Sequence, residues 1–210
     1  MRAGTGEDFP LTIVIALLAS LAWEAADFLG GATSRRIPAV TVAAGSQVVG
    51  LALLGILAAS GRPALPGPAV VFAGVAAGAC SFVGLTLMYR ALAIGKMGVV
   101  APIIGSSAVV PLIWGLLQGD QMTPQQVVGM AACLTGILVV TRGSQDAGES
   151  VNDEAAQSGA GPIALAEIAA AVFGASLVFL SDGSDEAPLM TTVVMRATAC
   201  VVAIPAVLLS

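Results

Sequence analysis

The chain has 210 residues, of which 57% are hydrophobic and only 10% charged, with a mean hydropathy of +0.96 and a net charge of −5. A soluble domain carries about 25% charged residues, so this much apolar surface calls for lipid rather than a single soluble core. The acidic balance excludes a nucleic-acid partner, which needs a basic face, and the absence of histidine removes His-based triads, His proton shuttles and His metal sites.

Seven apolar stretches are predicted as spans, each near the roughly 20 residues that cross a bilayer as a helix. They lie at about 11–32, 39–60, 68–93, 97–117, 124–142, 162–181 and 188–209. The first is expected to be a span rather than a signal peptide: Glu7 and Asp8 spoil the basic n-region, and apolar character resumes past Glu24. Within it, "LAWEAADFLGG" (21–31) carries two carboxylates. Ser20, Glu24, Asp27 and Gly31 recur at intervals of four, three and four, which places them within about 60° of one another on one helix face. A carboxylate at bilayer depth avoids lipid and faces the bundle interior or a cavity. Glu24, a little past the helix middle, is the first candidate for binding a proton or substrate. Asp27, nearer the far end, is the second. For each, the plain alternative is a hydrogen bond to a neighbouring helix. Ser20 joins them as a residue lining the path.

"SRRIP" (34–38) and "SGRPALPGP" (60–68) bound the second span, and the third holds the small-residue pair Gly74–Gly78. Such spacing lets helix backbones approach closely in lipid. Tyr89 and Arg90 close the third span and read first as interfacial anchors, with Tyr89 a weaker candidate for the transport path. Pro102 and Pro111 should kink or locally open the fourth span. Gly115–Gly119 and Ala132–Gly136 repeat the small-residue spacing. Trp23 and Trp114 read as packing residues. Cys80, Cys133 and Cys200 sit in different apolar runs without metal-ligand spacing, so they read as small core residues, and no metal or cofactor is expected.

Residues 143–161, "GSQDAGESVNDEAAQSGAG", hold Asp146, Glu149, Asp153 and Glu154 and no base. They should form a solvated, flexible linker. Glu167 begins the sixth span, where a carboxylate suits a helix start. Arg196 lies about nine residues into the seventh. At that depth it needs an anionic partner, a carboxylate of the bundle ahead of the substrate itself.

Residues 11–60 set above 161–210 at an offset of 150 bring Trp23 opposite Phe173, Ala25 opposite Ala175, Pro38 opposite Pro188, Thr41 opposite Thr191 and Ser46 opposite Arg196. Both halves read span, polar turn, proline, span, as duplicated transporter units do. The first unit has five spans and the second two.

The stretch 89–142 resembles the end of an EamA repeat of the drug/metabolite transporter superfamily. Tyr89-Arg90-Ala91-Leu92, Pro102, Pro111, Gly119-Asp120, Thr123, Gly129 and Gly136 carry the likeness. Gly119-Asp120 stands where the family usually has Gly-Glu, and Trp23-Glu24 where it typically has Trp-Gly. The resemblance implies an all-α, polytopic transmembrane helix bundle: a five-helix repeat (11–142), the linker, and the first two helices of an inverted second repeat (162–210). An intact member would have ten spans, so the chain reads as truncated in its second repeat. The family pattern often has an arginine at the position of Arg196. In the small multidrug resistance branch of the superfamily, a first-helix glutamate exchanges protons for cations, which is the role the resemblance suggests for Glu24. Charge bias over the loops places the N terminus outside, whereas the resemblance implies a cytoplasmic one. The resemblance is followed, and the N terminus is expected in the cytoplasm.

The expected function is secondary transport of a small metabolite or drug across the cell membrane, with proton antiport as its coupling. A non-transporting membrane subunit or scaffold, packing through Gly-rich faces, is the second reading, and a lipid-carrier flippase component a third. The carboxylate stripe favours transport, because a scaffold has no need of it. A membrane enzyme lacks working parts, with no His and no nucleophile–base pair. The implied partners are a small-molecule substrate and membrane lipid, with a homodimer allowed and no nucleic acid.

Overall fold

The structure is a computed structural model and describes residues 8–61, 63–146 and 160–209. Among them the regular structure is entirely helical. The helices are α1 (Asp8–Thr33), α2 (Ala39–Gly61), α3 (Pro68–Ile94), α4 (Met97–Gly105), α5 (Val109–Leu117), α6 (Pro124–Asp146), α7 (Ala160–Ser184) and α8 (Pro188–Leu208). Six segments are long and apolar enough to cross a membrane: Leu11–Thr33, Ala39–Gly61, Pro68–Ile94, Met97–Leu117, Gly161–Ser184 and Pro188–Leu208. This is an all-α polytopic bundle. The expected fifth span is also a helix, α6, of 23 residues, although it is not one of those six.

Helix starts follow from local chemistry. Proline opens α3 and α8, where its missing N–H costs nothing and its fixed φ suits the first turn. Before α6, Thr123 and Gln126 form a reciprocal cap. The Gln126 amide N–H donates to Thr123 Oγ1 at 3.3 Å, and the Thr123 N–H donates to Gln126 Oε1 at 2.8 Å. That is the capping-box arrangement, with Pro124 at the first helical position. A helix so started continues past its last apolar residue, since each added residue gains a backbone hydrogen bond. It runs to Asp146, and α7 begins at Ala160. The expected 143–161 linker is therefore helical at both ends, and its middle, 147–159, lies outside the described residues.

The fourth span breaks ahead of Pro111, while Pro102, also expected to kink or open it, is carried inside α4. Pro111 offers no N–H and crowds the carbonyl four residues back, that of Ser107. The chain tightens into a 3-10 turn at Ser106–Ala108 between α4 and α5. Gly174 of α7 faces this break: a Cβ there would lie 2.6 Å from the Ser107 carbonyl oxygen.

The span ends at Gly119, whose φ of +93° suits a residue without a Cβ. Its N–H bonds to the Leu116 carbonyl at 3.1 Å and that of Asp120 to the Gly115 carbonyl at 3.0 Å, a Schellman stop. Gly115–Gly119 is thus a helix terminus and not a packing motif, contrary to the reading from spacing. Gly136 has no neighbour within 4 Å of where its Cβ would be, so Ala132–Gly136 closes no contact among the described residues.

The pair Gly74–Gly78 does pack. A Cβ on Gly78 would collide with the Met195 carbonyl, and one on Gly74 would lie 2.7 Å from Val194, so α8 crosses α3 at backbone distance. The central helix is α3, lying against α7 and α8 and also touching α1 and α2, while α2 packs on α8. Small side chains fill these seams, with Ala43, Ala77, Ala91, Ala166, Ala169 and Ala199 fully buried. Outward faces of α1 and α2 show Leu17, Leu21, Ile56 and Leu57, as helices bathed in lipid do. A Cβ on Gly95, past the end of α3, would lie 3.1 Å from Pro162 near the start of α7. At the other end, Gly67 before α3 faces Glu186 after α7, at 3.2 Å by the same measure. The two helices therefore run antiparallel.

Candidate functional site

Among the described residues, two neighbouring cavities adjoin α1 and α7. The larger, about 460 Å³, is walled by α1, α2, α3, α7 and α8, and among the described residues its wall has two charged side chains, Asp27 and Arg196. The smaller, about 270 Å³, is reached by Glu24 and Asp27 of α1 and by Ala101 and Ser107 of the broken span. Trp23, Asp27, Phe173 and Leu177 line both, so the boundary between the cavities is built from α1 and α7. There the Trp23 and Phe173 rings meet edge to face, centroids 6.5 Å apart.

Asp27 is half-buried and Glu24 exposed. Asp27 is the carboxylate of α1 that meets the larger cavity, because helix rotation as well as depth sets which side chain faces it. Ser20 lines neither cavity; it is exposed, and its hydroxyl donates to the Ala16 carbonyl at 3.0 Å. Of the four residues of the stripe, only the two carboxylates line either of these cavities.

Tyr89 is 4% exposed and lines the larger cavity, which corrects its reading as an interfacial anchor. Its ring fits against α1 at Gly30, where a Cβ would clash with the ring. From there it lies within electrostatic reach of both Asp27 and Arg196. Arg90, the next residue, is exposed.

The expectation for Arg196 needs the largest correction. Its Nη1 donates to the Oε1 of Gln47 at 2.6 Å, so its partner within the bundle is a neutral amide. Among the described residues no carboxylate lies within ion-pair distance of it. Gln47 is fully buried, and two buried nitrogens, Gln47 Nε2 and Arg196 Nε, have no hydrogen-bond partner. A Cβ on Gly50 would lie 3.2 Å from Arg196 Nε, so this glycine keeps the guanidinium uncrowded.

Sequence reasoning passed over Gln47, and a signal was present. It is the single side-chain amide in an otherwise apolar stretch, and an amide in hydrocarbon needs a partner. The repeat offset sets Ser46 opposite Arg196, one residue away from the side chain that meets it. Trp114 and Glu167 are exposed and line neither cavity, and Cys80 and Cys200 are partly buried while Cys133 is exposed. No group of three His, Cys, Asp or Glu residues among the described ones could hold a metal ion.

No curated protein and no solved structure matches the chain. The model of the EamA-like transporter family matches residues 10–142, well over half of it, from the first span through most of α6. With six membrane-spanning candidates and that match, the chain is a multi-pass membrane protein of transporter type and belongs to the EamA-like transporter family.

Proposed function

We propose that this protein is a secondary transporter that moves a small metabolite or drug across the cell membrane, exchanging it against protons at the carboxylates of α1. The observation that carries this reading is the larger cavity. Its volume of about 460 Å³ falls within the range of small-molecule sites, roughly 300–1,000 Å³. Its wall is apolar apart from a few polar groups, one of them acidic and one basic. A charged side chain at bilayer depth costs at least about 2.5–3.5 kcal/mol, so an acid and a base meeting at a cavity, unpaired with each other, serve something that enters it. A scaffold has no use for either.

The cavity lies between three helices of the first sequence unit and both helices of the second. Rocking of one unit against the other opens such a site first to one side of the membrane and then to the other. Exchange follows when a proton and a cationic group of the substrate compete for one carboxylate, because each lowers the affinity for the other. The test is flux. The protein is reconstituted in liposomes with an entrapped pH-sensitive dye, an imposed proton gradient and a panel of small metabolites outside. Substrate-dependent proton movement in the parent, lost when both Glu24 and Asp27 are replaced by their amides, is the expected result. Substrate movement indifferent to both the gradient and the double replacement would remove the coupling from the proposal. No movement of any panel member would leave the scaffold reading in its place.

A further inference from the structure

From the arrangement around Arg196 we infer that the transported molecule carries a single carboxylate-type anionic group, which binds in the larger cavity against Arg196 and Gln47. The inference rests on the transport reading and narrows it to a substrate class. An arginine has only donors, so Gln47 must turn its carbonyl oxygen toward it. The contact at 2.6 Å between Arg196 Nη1 and Gln47 Oε1 therefore points the amide nitrogen elsewhere. The two buried atoms left without a partner at this locus among the described residues, Gln47 Nε2 and Arg196 Nε, are both donors. Gln47 is 0% exposed. Buried donors without acceptors beside an uncompensated guanidinium are costly to the protein alone. An acceptor bearing one negative charge resolves both deficits at once.

The charge count limits the ligand further. Among the described residues the cavity wall carries one cation, Arg196, and one anion, Asp27, so one anionic group of the substrate is matched at Arg196 and a second is not, while Asp27 is left for the cationic group that competes with the proton. A guanidinium held at one nitrogen retains N–H groups for a planar two-oxygen acceptor, the geometry in which Arg–carboxylate pairs are strongest. Gly50 keeps that approach open, and Leu53, Leu85 and Phe173 on the same wall offer apolar surface to the rest of the molecule.

Binding is tested without flux, on the purified full chain in detergent, by the rise in melting temperature with ligand concentration. The probes are acetate, benzoate and indole-3-acetate, each beside its neutral amide of nearly the same shape. Saturable stabilisation by at least one carboxylate, with none from its amide, is expected. Gln47→Glu is the decisive variant. It puts a carboxylate against Arg196, so the pair is satisfied internally and the fold is retained, while apparent affinity for the carboxylate falls about tenfold or more. Arg196→Gln should abolish the effect, and Gln47→Glu keeps the test valid if that variant does not fold. If no carboxylate outdoes its amide, or if Gln47→Glu binds as the parent does, the anion site is wrong. The transport reading then still stands on flux. Charge-selective binding without any flux would retain the site and overturn the transport reading instead.

Discussion

Trp23 of α1 and Phe173 of α7 meet edge to face with ring centroids 6.5 Å apart, on the wall shared by the two cavities. They are 150 positions apart, the offset at which the two units of the chain correspond. The aromatic contact contributes about 0.5–1.5 kcal/mol beyond its area. Its larger consequence is a partition: on one side stands Glu24, on the other Arg196, and Asp27 touches both spaces. Phe173→Ala should join the cavities. The expected outcome is a higher passive proton leak in proteoliposomes holding a pH-sensitive dye, together with a stability loss of up to about 3–5 kcal/mol. Phe173→Leu refills most of the volume and should leak little. Equal leak in both variants and the parent would show that the rings pack but do not partition.

The two carboxylates are separable by the same assay. Asp27 borders both cavities while Glu24 borders only the smaller, so Asp27→Asn should remove the dependence of substrate flux on a proton gradient. Glu24→Gln should reduce flux by a smaller factor and leave the gradient dependence in place. Both replacements keep size and hydrogen-bonding capacity, so expression and melting temperature should stay near those of the parent. If Glu24→Gln is the variant that loses the gradient dependence, depth along α1 outweighs helix rotation.

Topology turns on α6. The end of α3 and the start of α7 share one face of the bundle, as the approach of Gly95 to Pro162 shows. The broken span runs from that face to the opposite one, ending at Leu117. The chain must then return, and α6, at 23 residues and 1.5 Å of rise per residue, is about 34 Å long, enough to cross the hydrocarbon core. In a cysteine-free background, Ser144→Cys should be labelled by an impermeant maleimide from the same side as Arg35→Cys. Gln121→Cys should be labelled from the other side. Ser144 and Gln121 reacting from one side would mean that α6 does not cross.

Much of this architecture is legible in the residues, and the limit is physical. Hydropathy locates the six membrane-length helical segments to within a few residues, because lipid penalises any polar interruption. Pro111 announces the break, and Thr123-Pro124 with Gln126 announces the start of α6, because these are contacts within one turn of chain. Pairings between helices are another matter. Ser46 and Gln47 both sit on α2, and which of them meets Arg196 depends on the rotation of α2 against α8, settled by the fit of alanines and glycines along the whole seam. Tyr89 reads as an anchor from its place at a span end, and only the missing side chain of Gly30, on another helix, admits it to the interior.

The small-residue spacings make the same point and can be tested directly. Gly74–Gly78 and Ala132–Gly136 look alike in sequence. In the structure a Cβ on Gly78 would strike the Met195 backbone carbonyl, which cannot swing aside as a side-chain tip can, while Gly136 has open space around it. Gly78→Ala must therefore push α8 off α3 and should cost about 1–3 kcal/mol, the usual range for overpacking. Because α8 carries Arg196, the same shift should weaken the Gln47 contact and lower flux. Gly136→Ala meets nothing and exchanges a poor helix former for the best one, so it should be neutral or stabilise by up to about 1 kcal/mol. Melting of the two variants in one detergent, beside the parent, decides the matter. A Gly78→Ala protein as stable as the parent would mean that α3 and α8 have freedom to separate, and the backbone contact described here would not be what holds the seam.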